Sequence, residues 1–86
     1  MQPVLPTWFK QRQAKAEPAG EDALRLTGPN LNEAFIRIHK SENGRWSGAL
    51  RRTADGPDVA STEPRYDNLN DAWGAAFELY RVNVLV

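Results

Sequence analysis

Apolar and polar residues alternate in two runs of the chain that a short turn sequence separates. Ile36 and Ile38 stand in the first run, and Trp46 to Leu50 in the second. An alternation with a period of two is typical of β-strands that bury one face. Asn43-Gly44 between the runs is a strong hairpin signal. The stretch from Ala34 to Arg52 therefore predicts a β-hairpin.

The register of this hairpin follows from the requirement that residues directly opposite each other share a face. A two-residue loop would place Ile36 opposite the charged Arg51. A three-residue loop, residues 42–44, places Ile36 opposite Leu50 and requires Gly44 in the left-handed region. We therefore expect the inward face to carry Ile36, Ile38, Lys40, Trp46, Gly48 and Leu50, and the outward face to carry Phe35, Arg37, His39, Arg45, Ser47, Ala49 and Arg51.

A helical pattern follows the hairpin near the end of the chain. Asn68 is a favourable N-cap, and Asp71 three residues later resembles a capping box. With 3.6 residues per turn, one broad apolar face holds Leu69, Ala72, Trp73, Ala76, Phe77, Leu79 and Tyr80. Shorter strand patterns lie at residues 23–27 and 59–63. The predicted fold is α+β, an antiparallel meander of three or four strands with the Leu69–Arg81 helix packed on its inward face.

The two ends of the chain differ in composition from its middle. Residues 1–22 hold several prolines and little core material, which predicts a flexible arm, and residues 23–86 form the predicted domain. Trp8-Phe9 is an aromatic pair that would anchor the arm in a groove of this chain or of another. The apolar tail, residues 82–86, is expected to add a strand to its own sheet or to a second subunit. The candidate association residues are therefore Trp8, Phe9, Val82, Val84, Leu85 and Val86.

Composition limits the classes of function. The 86 residues make one domain at most, and 11 basic residues balance 11 acidic ones. Cysteine is absent, so disulfides and thiolate metal sites are excluded. No apolar run is long enough for a membrane span, and the first residues lack a signal-peptide pattern. The expectation is a soluble, cytoplasmic protein without membrane contact.

Chemical signatures are weak. His39 is the single histidine, and Ser47 lies opposite it in the expected register, but cross-strand pairs of this kind are common. Neither of the common phosphate-binding glycine motifs is present. We therefore predict no enzymatic activity, no metal and no cofactor. The outward hairpin face is the candidate nucleic-acid surface, through Phe35, Arg37, His39, Arg45 and Arg51.

Two family resemblances follow from these elements. The run F-I-R-I-H-K-S-E-N-G-R-W…L-R…G…V-A-S-T-E…Y…L-x-D-A, residues 35–72, resembles the repeat of the small bacterial YegP-like family, whose function is uncharacterised. This implies a hairpin-plus-helix fold and no catalytic residues. The pattern G-x-W…L-R…G…T…A-W-x-A-A is similar to the arm-binding domains of phage-type integrases. This second resemblance implies DNA binding through Arg37, Arg45 and Arg51.

The expected function is that of a non-catalytic interaction module that self-associates or binds another protein. A small open sheet with an apolar tail and an aromatic pair has reason to associate. The alternative is a nucleic-acid-binding domain that uses the outward face.

Overall fold

The computed structural model describes residues 5–20, 22–29, 31–53 and 56–85. Along the chain the elements are α1 (Thr7–Gln11), β1 (Lys15–Pro18), β2 (Ala23–Gly28), β3 (Leu31–Lys40), β4 (Trp46–Arg51), β5 (Asp58–Ser61), α2 (Leu69–Tyr80) and a π-helical turn (Arg81–Leu85). The strands form one antiparallel sheet in the order β1-β2-β3-β4-β5. The predicted α+β meander with a C-terminal helix on one face is thus confirmed, with five strands instead of three or four.

The β3–β4 hairpin has the predicted register. Ile36 lies opposite Leu50, and Ile38 lies opposite Gly48. Gly44 has a φ of 82°, which permits the three-residue loop. The Asn43 side-chain oxygen accepts a hydrogen bond from the backbone N–H of Arg45 at 2.9 Å and so holds the loop closed. Alternation then buries Ile36 completely and leaves His39 exposed.

The helix α2 begins where its capping residue predicts. The Asn68 side chain accepts a hydrogen bond from the backbone N–H of Asp71 at 2.9 Å. The buried side chains of α2 are Ala72, Trp73, Ala76, Phe77 and Tyr80. This face packs on β3 and β4, where Ile36 and Leu50 have no exposed surface. The helix and the inward sheet face therefore form one core.

Helix α2 approaches the sheet closely at Gly48. A Cβ atom built on Gly48 would be 3.1 Å from the carbonyl oxygen of Ala72 and 3.1 Å from both the backbone nitrogen and the Cβ of Ala76. Two of these three atoms are helix backbone, which cannot move away without displacing α2. Gly48 is therefore required for the close approach of α2 to β4.

The predicted N-terminal arm contains two elements where the structure describes it. Phe9 in α1 has no exposed surface and belongs to the core. The helix ends in a Schellman motif: the N–H of Gln13 donates to the carbonyl of Lys10 at 3.0 Å, and the N–H of Ala14 to that of Phe9 at 3.3 Å. Gln13 occupies the left-handed position of this motif with a φ of 58°.

The fifth strand, β1, also comes from this segment. Its residues pair with β2 so that Ala16 lies opposite Leu26, and Ala16 packs against the core. The sequence Lys-Ala-Glu-Pro has little intrinsic strand preference. Pairing with the free edge of β2 and burial of Ala16 therefore determine its conformation.

The expectation of a C-terminal strand was wrong for the residues that the structure describes. Residues 81–85 continue α2 as a π-helical turn, and Val84 packs against the core. The Asn83 side chain donates a hydrogen bond to the carbonyl of Leu79 at 2.9 Å. These local contacts outweigh the strand preference of valine. Val86 lies outside the described residues.

Gly48→Ala is expected to lower the free energy of unfolding by about 1–3 kcal/mol, because the added methyl group overpacks the contact with α2. Gly74→Ala is the matched control, because Gly74 lies in α2, the helix that Gly48 contacts, but outside this contact. Gly74 is exposed, and apart from the neighbouring helix backbone no described atom lies within 4 Å of the position that its added methyl group would take. Alanine should therefore stabilise the helix by ~0.5–1 kcal/mol. Urea denaturation measures both changes, and equal effects of the two substitutions would contradict the close-contact assignment.

Candidate interaction surfaces

The outward face of the sheet carries the residues predicted to bind nucleic acid. In one row across the strands, Phe35 lies between Arg25 and Arg51, and in the next row Arg37 lies opposite Ala49. Phe35 is half-buried. His39 and Arg45 are exposed near the hairpin end. The structure thus brings Phe35, Arg37 and Arg51 together at the middle of this face.

Carboxylates lie beside the arginines on and around this face. Four arginines each have a carboxylate oxygen within 4.0 Å: Arg25 with Glu33 (2.5 Å), Arg37 with Asp58 (3.9 Å), Arg45 with Asp67 (3.6 Å) and Arg51 with Asp58 (2.7 Å). These pairs are partly exposed, so each contributes little to stability. Their consequence is a surface of mixed charge, which lowers the local positive potential that phosphate binding uses.

The predicted Trp8-Phe9 pair is divided between core and surface. The Phe9 ring packs edge-on against Phe77, with 5.1 Å between ring centroids, and against Tyr80, with 6.2 Å. Trp8 is half-buried and contacts Phe9 edge-on at 5.8 Å. Phe9 therefore occupies a groove of its own chain, which is one of the two alternatives expected for this pair.

Tyr80 lies at the base of this aromatic cluster. Its side chain has no exposed surface, and its hydroxyl has no hydrogen-bond partner among the described residues. Burial raises the pKa of Tyr80 above its ordinary value of 10.0, and the nearby positive charge of Arg12 opposes this shift. A buried hydroxyl without a partner costs free energy, so the cluster is held by its rings and not by this polar group.

An apolar strip, the C-terminal strip, lies partly exposed where the last turns of the helical region meet the segment before α2. It consists of Tyr66 from that segment and Ala75, Leu79 and Val82 from the helical region. Val82 is 51% exposed, and the other three side chains are half-buried. The strip lines a shallow groove of about 230 Å³ between the 62–66 segment and α2. Of the other predicted association residues, Val84 packs against the core and Leu85 belongs to the π-helical turn.

Charged groups stand on both sides of this groove. Arg65 lies on the side of the 62–66 segment, with its guanidinium carbon 5.5 Å from the centre of the Tyr66 ring. Glu78 lies on the helical side, where a hydrogen bond from Arg81 lowers the pKa of its carboxyl group. The hydrogen bond to Tyr66 raises the pKa of Arg65. At neutral pH one wall of the groove therefore carries the Arg65 cation, and the other carries the Glu78 carboxylate in its ion pair with Arg81.

The Ser47–His39 pair lacks the geometry of a nucleophile and its base. The Ser47 hydroxyl donates to the backbone carbonyl of His39 at 3.4 Å and not to the imidazole. Among the described residues, no cluster of three or more acidic or histidine side chains is suited to a metal ion. None of the described helices has the length and apolar composition to cross a membrane.

Comparison with protein-family models, with curated proteins and with solved structures found no match. The similarities to the YegP-like repeat and to integrase arm-binding domains therefore stay predictions.

Sequence reasoning did not identify Tyr66 and Ala75 as surface residues, and it assigned Leu79 to the buried helix face. The width of the apolar pattern in α2 could have indicated that part of this face stays exposed. Seven apolar positions in α2 form a face broader than a single line of contact with the sheet needs. The side of that face at Leu79 continues into Val82 and remains partly exposed.

Phe9→Ala is expected to cost about 3–5 kcal/mol of unfolding free energy, because the alanine leaves a cavity between Phe77 and Tyr80. Thr7→Ala, in the same helix but at an exposed position, should change stability by less than ~0.5 kcal/mol. Denaturant titration distinguishes the two. A Phe9→Ala effect as small as that of Thr7→Ala would show that the arm is not part of the core.

Tyr80→Phe removes the unpartnered hydroxyl and should leave stability at pH 7 unchanged or raise it by up to about 1 kcal/mol. In the parent chain the folded pKa lies above 10.0, so the unfolded state loses this proton first and stability falls as pH rises above about 10. The variant should lose less stability over that range. Identical alkaline profiles measured by thermal unfolding would contradict this role of Tyr80.

Proposed function

We propose that the chain is a non-catalytic interaction module that self-associates through the C-terminal strip. The observation that supports this most directly is the half-exposed Val82, which continues the partly buried Ala75 and Leu79 beside a groove. Apolar strips with polar rims are typical of surfaces that bind protein.

A second copy is the partner that the charges favour. In a twofold dimer, a residue on one wall of the groove meets the residue on the other wall of the second copy. Where the two grooves face each other, Arg65 of each copy would approach the Glu78–Arg81 ion pair of the other and share its carboxylate, while the two Val82 side chains lie near the axis. The same surface is therefore complementary to itself in both charge and polarity.

The size of the chain supports association for a separate reason. A domain of 86 residues buries a modest share of its surface on folding, so its stability is small unless another contact adds to it. Association through the C-terminal strip would cover Leu79 and Val82 and extend the core outward. The free energy of dimer formation would then also stabilise the folded chain.

Nucleic-acid binding through the outward face is the alternative. It is supported by the position of Arg37, Arg51 and Phe35 on an uncovered sheet face, and it is disfavoured by Asp58, which lies near both arginines. Phosphates would have to displace this carboxylate, whereas a protein surface can accommodate charges of both signs. Protein association is therefore the preferred function.

Val82→Asp is expected to abolish self-association, because it places a charge in the apolar strip. Val59→Asp is the matched control, since Val59 is 53% exposed but belongs to β5, outside the strip. Sedimentation over a wide concentration range should show a dimer for the parent chain and for Val59→Asp, and a monomer for Val82→Asp. A strictly monomeric parent chain would refute the proposal.

Charge reversal tests the twofold arrangement. Arg65→Glu and Glu78→Arg should each weaken the homodimer, because like charges then meet across the interface. Since Glu78→Arg also removes the pair with Arg81 of the same chain, recovery in a mixture of the two variants is the decisive result. An equimolar mixture of the two variants should recover association, since the carboxylate introduced in one chain would face the guanidinium introduced in the other. If the mixture is as weak as either variant alone, the cross-interface pair is not formed.

A mobility-shift titration tests the alternative. The preferred function predicts no salt-sensitive shift of duplex or single-stranded DNA at low ionic strength. A shift that disappears in the Arg37→Glu/Arg51→Glu variant, with unchanged circular dichroism, would favour nucleic-acid binding through the outward face instead.

A further inference from the structure

The N-terminal segment occupies the core as a bound peptide would. Phe9 fills the space beside Phe77 and Tyr80 with no exposed surface, while Thr7 and Lys10 remain exposed. The helix α1 has five residues and no side-chain hydrogen bond at its N-cap. Because helices this short do not form alone in water, the docking of Phe9 orders α1.

This segment joins the remainder of the sheet through one tight reversal between β1 and β2. Gly20 has a φ of 120° and Asp22 a φ of 57°, both left-handed conformations. The N–H of Ala19 donates to the carbonyl of Ala23 at 3.1 Å and closes the reversal. Aspartate adopts this region at little cost, so Gly20 is the position at which the reversal depends most on backbone freedom.

We infer that residues 5–18, which comprise α1 and β1, exchange between two copies of the chain. In the exchanged form, Phe9 of one copy fills the cavity beside Phe77 and Tyr80 of the other, and β1 pairs with the second copy's β2. Every contact of the closed form is made again because the surfaces are identical. Only the reversal between Pro18 and Ala23 changes.

A second copy of the chain is the partner whose segment fits the cavity beside Phe77 and Tyr80. The aromatic ring of Phe9, the apolar side of Ala16 and the cross-strand pairs from Lys15 to Pro18 all belong to the exchanged segment. An unrelated ligand would have to reproduce an aromatic anchor followed by a pairing strand. Pro18 favours an extended backbone at Glu17, which keeps β1 extended up to the start of the hinge.

Concentration determines which form predominates. A short tether holds the segment near its own cavity at an effective concentration on the order of millimolar. Exchange is therefore expected when chains fold together at such concentrations, or when the reversal is destabilised. It does not use the C-terminal strip, so it is independent of the proposed function.

A disulfide test distinguishes the two forms, since the natural chain has no cysteine. Lys15 and Thr27 are cross-strand partners in β1 and β2, so Lys15→Cys/Thr27→Cys forms a bond within one chain in the closed form. In the exchanged form the same bond joins two chains. After refolding at millimolar concentration and oxidation, a denaturing non-reducing gel should show a covalent dimer, whereas refolding at micromolar concentration should give a monomer.

The control pair is His39→Cys/Ser47→Cys in the β3–β4 hairpin, outside the exchanged segment. It should give a monomer at both concentrations. Adding Val82→Asp to the β1–β2 pair should leave the covalent dimer unchanged, which separates this result from association through the C-terminal strip. Intrachain bonds alone at millimolar concentration, or equal dimer from the control pair, would overturn the exchange.

Gly20→Val provides a second test that needs no cysteine. Apart from its two chain neighbours, no described residue has an atom within 4 Å of the added Cβ, so the substitution acts through the left-handed backbone. In chains that also carry Val82→Asp, and so lack association through the C-terminal strip, it should raise the dimeric fraction at least tenfold at equal concentration, as measured by light scattering. Gly44→Val strains the β3–β4 turn in the same way and should not raise it, and equal responses of the two variants would overturn the exchange.

Discussion

The contact of α2 with Gly48 is the constraint on which the remaining packing depends. It brings Ala72 and Ala76 against β4, and the helix also contacts β3. Five strands span about 19 Å at their usual spacing, whereas one helix with its side chains is ~10–12 Å wide. A single helix cannot cover such a sheet. The uncovered part of the inward face is filled by Phe9, which explains why an otherwise weak α1 is ordered.

The difference in width between the sheet and the helix also explains the exposed C-terminal strip on the other side of α2. A helix seated over β3 and β4 turns Leu79 and Val82 away from the centre of the sheet, beside the 62–66 segment. Both edges of the sheet are short: β1 ends in Pro18, and β5 is followed by Pro64. Short edges with proline resist the addition of strands. Association through a helical surface is therefore more compatible with this fold than growth of the sheet.

Local patterns predicted the central elements well. The hairpin register followed from the faces of Ile36 and Ile38, and the helix start followed from Asn68, because both depend on neighbouring residues. The order of α1 was not predictable, since it depends on the space that α2 leaves beside β2. The π-helical turn was missed for a similar reason: its valines favour a strand locally, but Val84 contacts the core.

The outward face shows where sequence reasoning is limited at a candidate site. Its arginines were correctly placed by alternation, but their partners come from β5 and from the residues before α2, so the charge balance depends on tertiary structure. The C-terminal strip has the same origin, because Tyr66 and Val82 are far apart in sequence. Proximity of this kind becomes visible only when the helix is seated on the sheet.

The most direct measurement of the central claim is a dilution series followed by residue-resolved nuclear magnetic resonance. Self-association through the C-terminal strip predicts concentration-dependent amide shifts confined to residues around Tyr66 and between Ala75 and Asn83, with Phe35 and Arg37 unchanged. Shifts that map to Phe35 and Arg37, or spectra identical from micromolar to millimolar concentration, would contradict it.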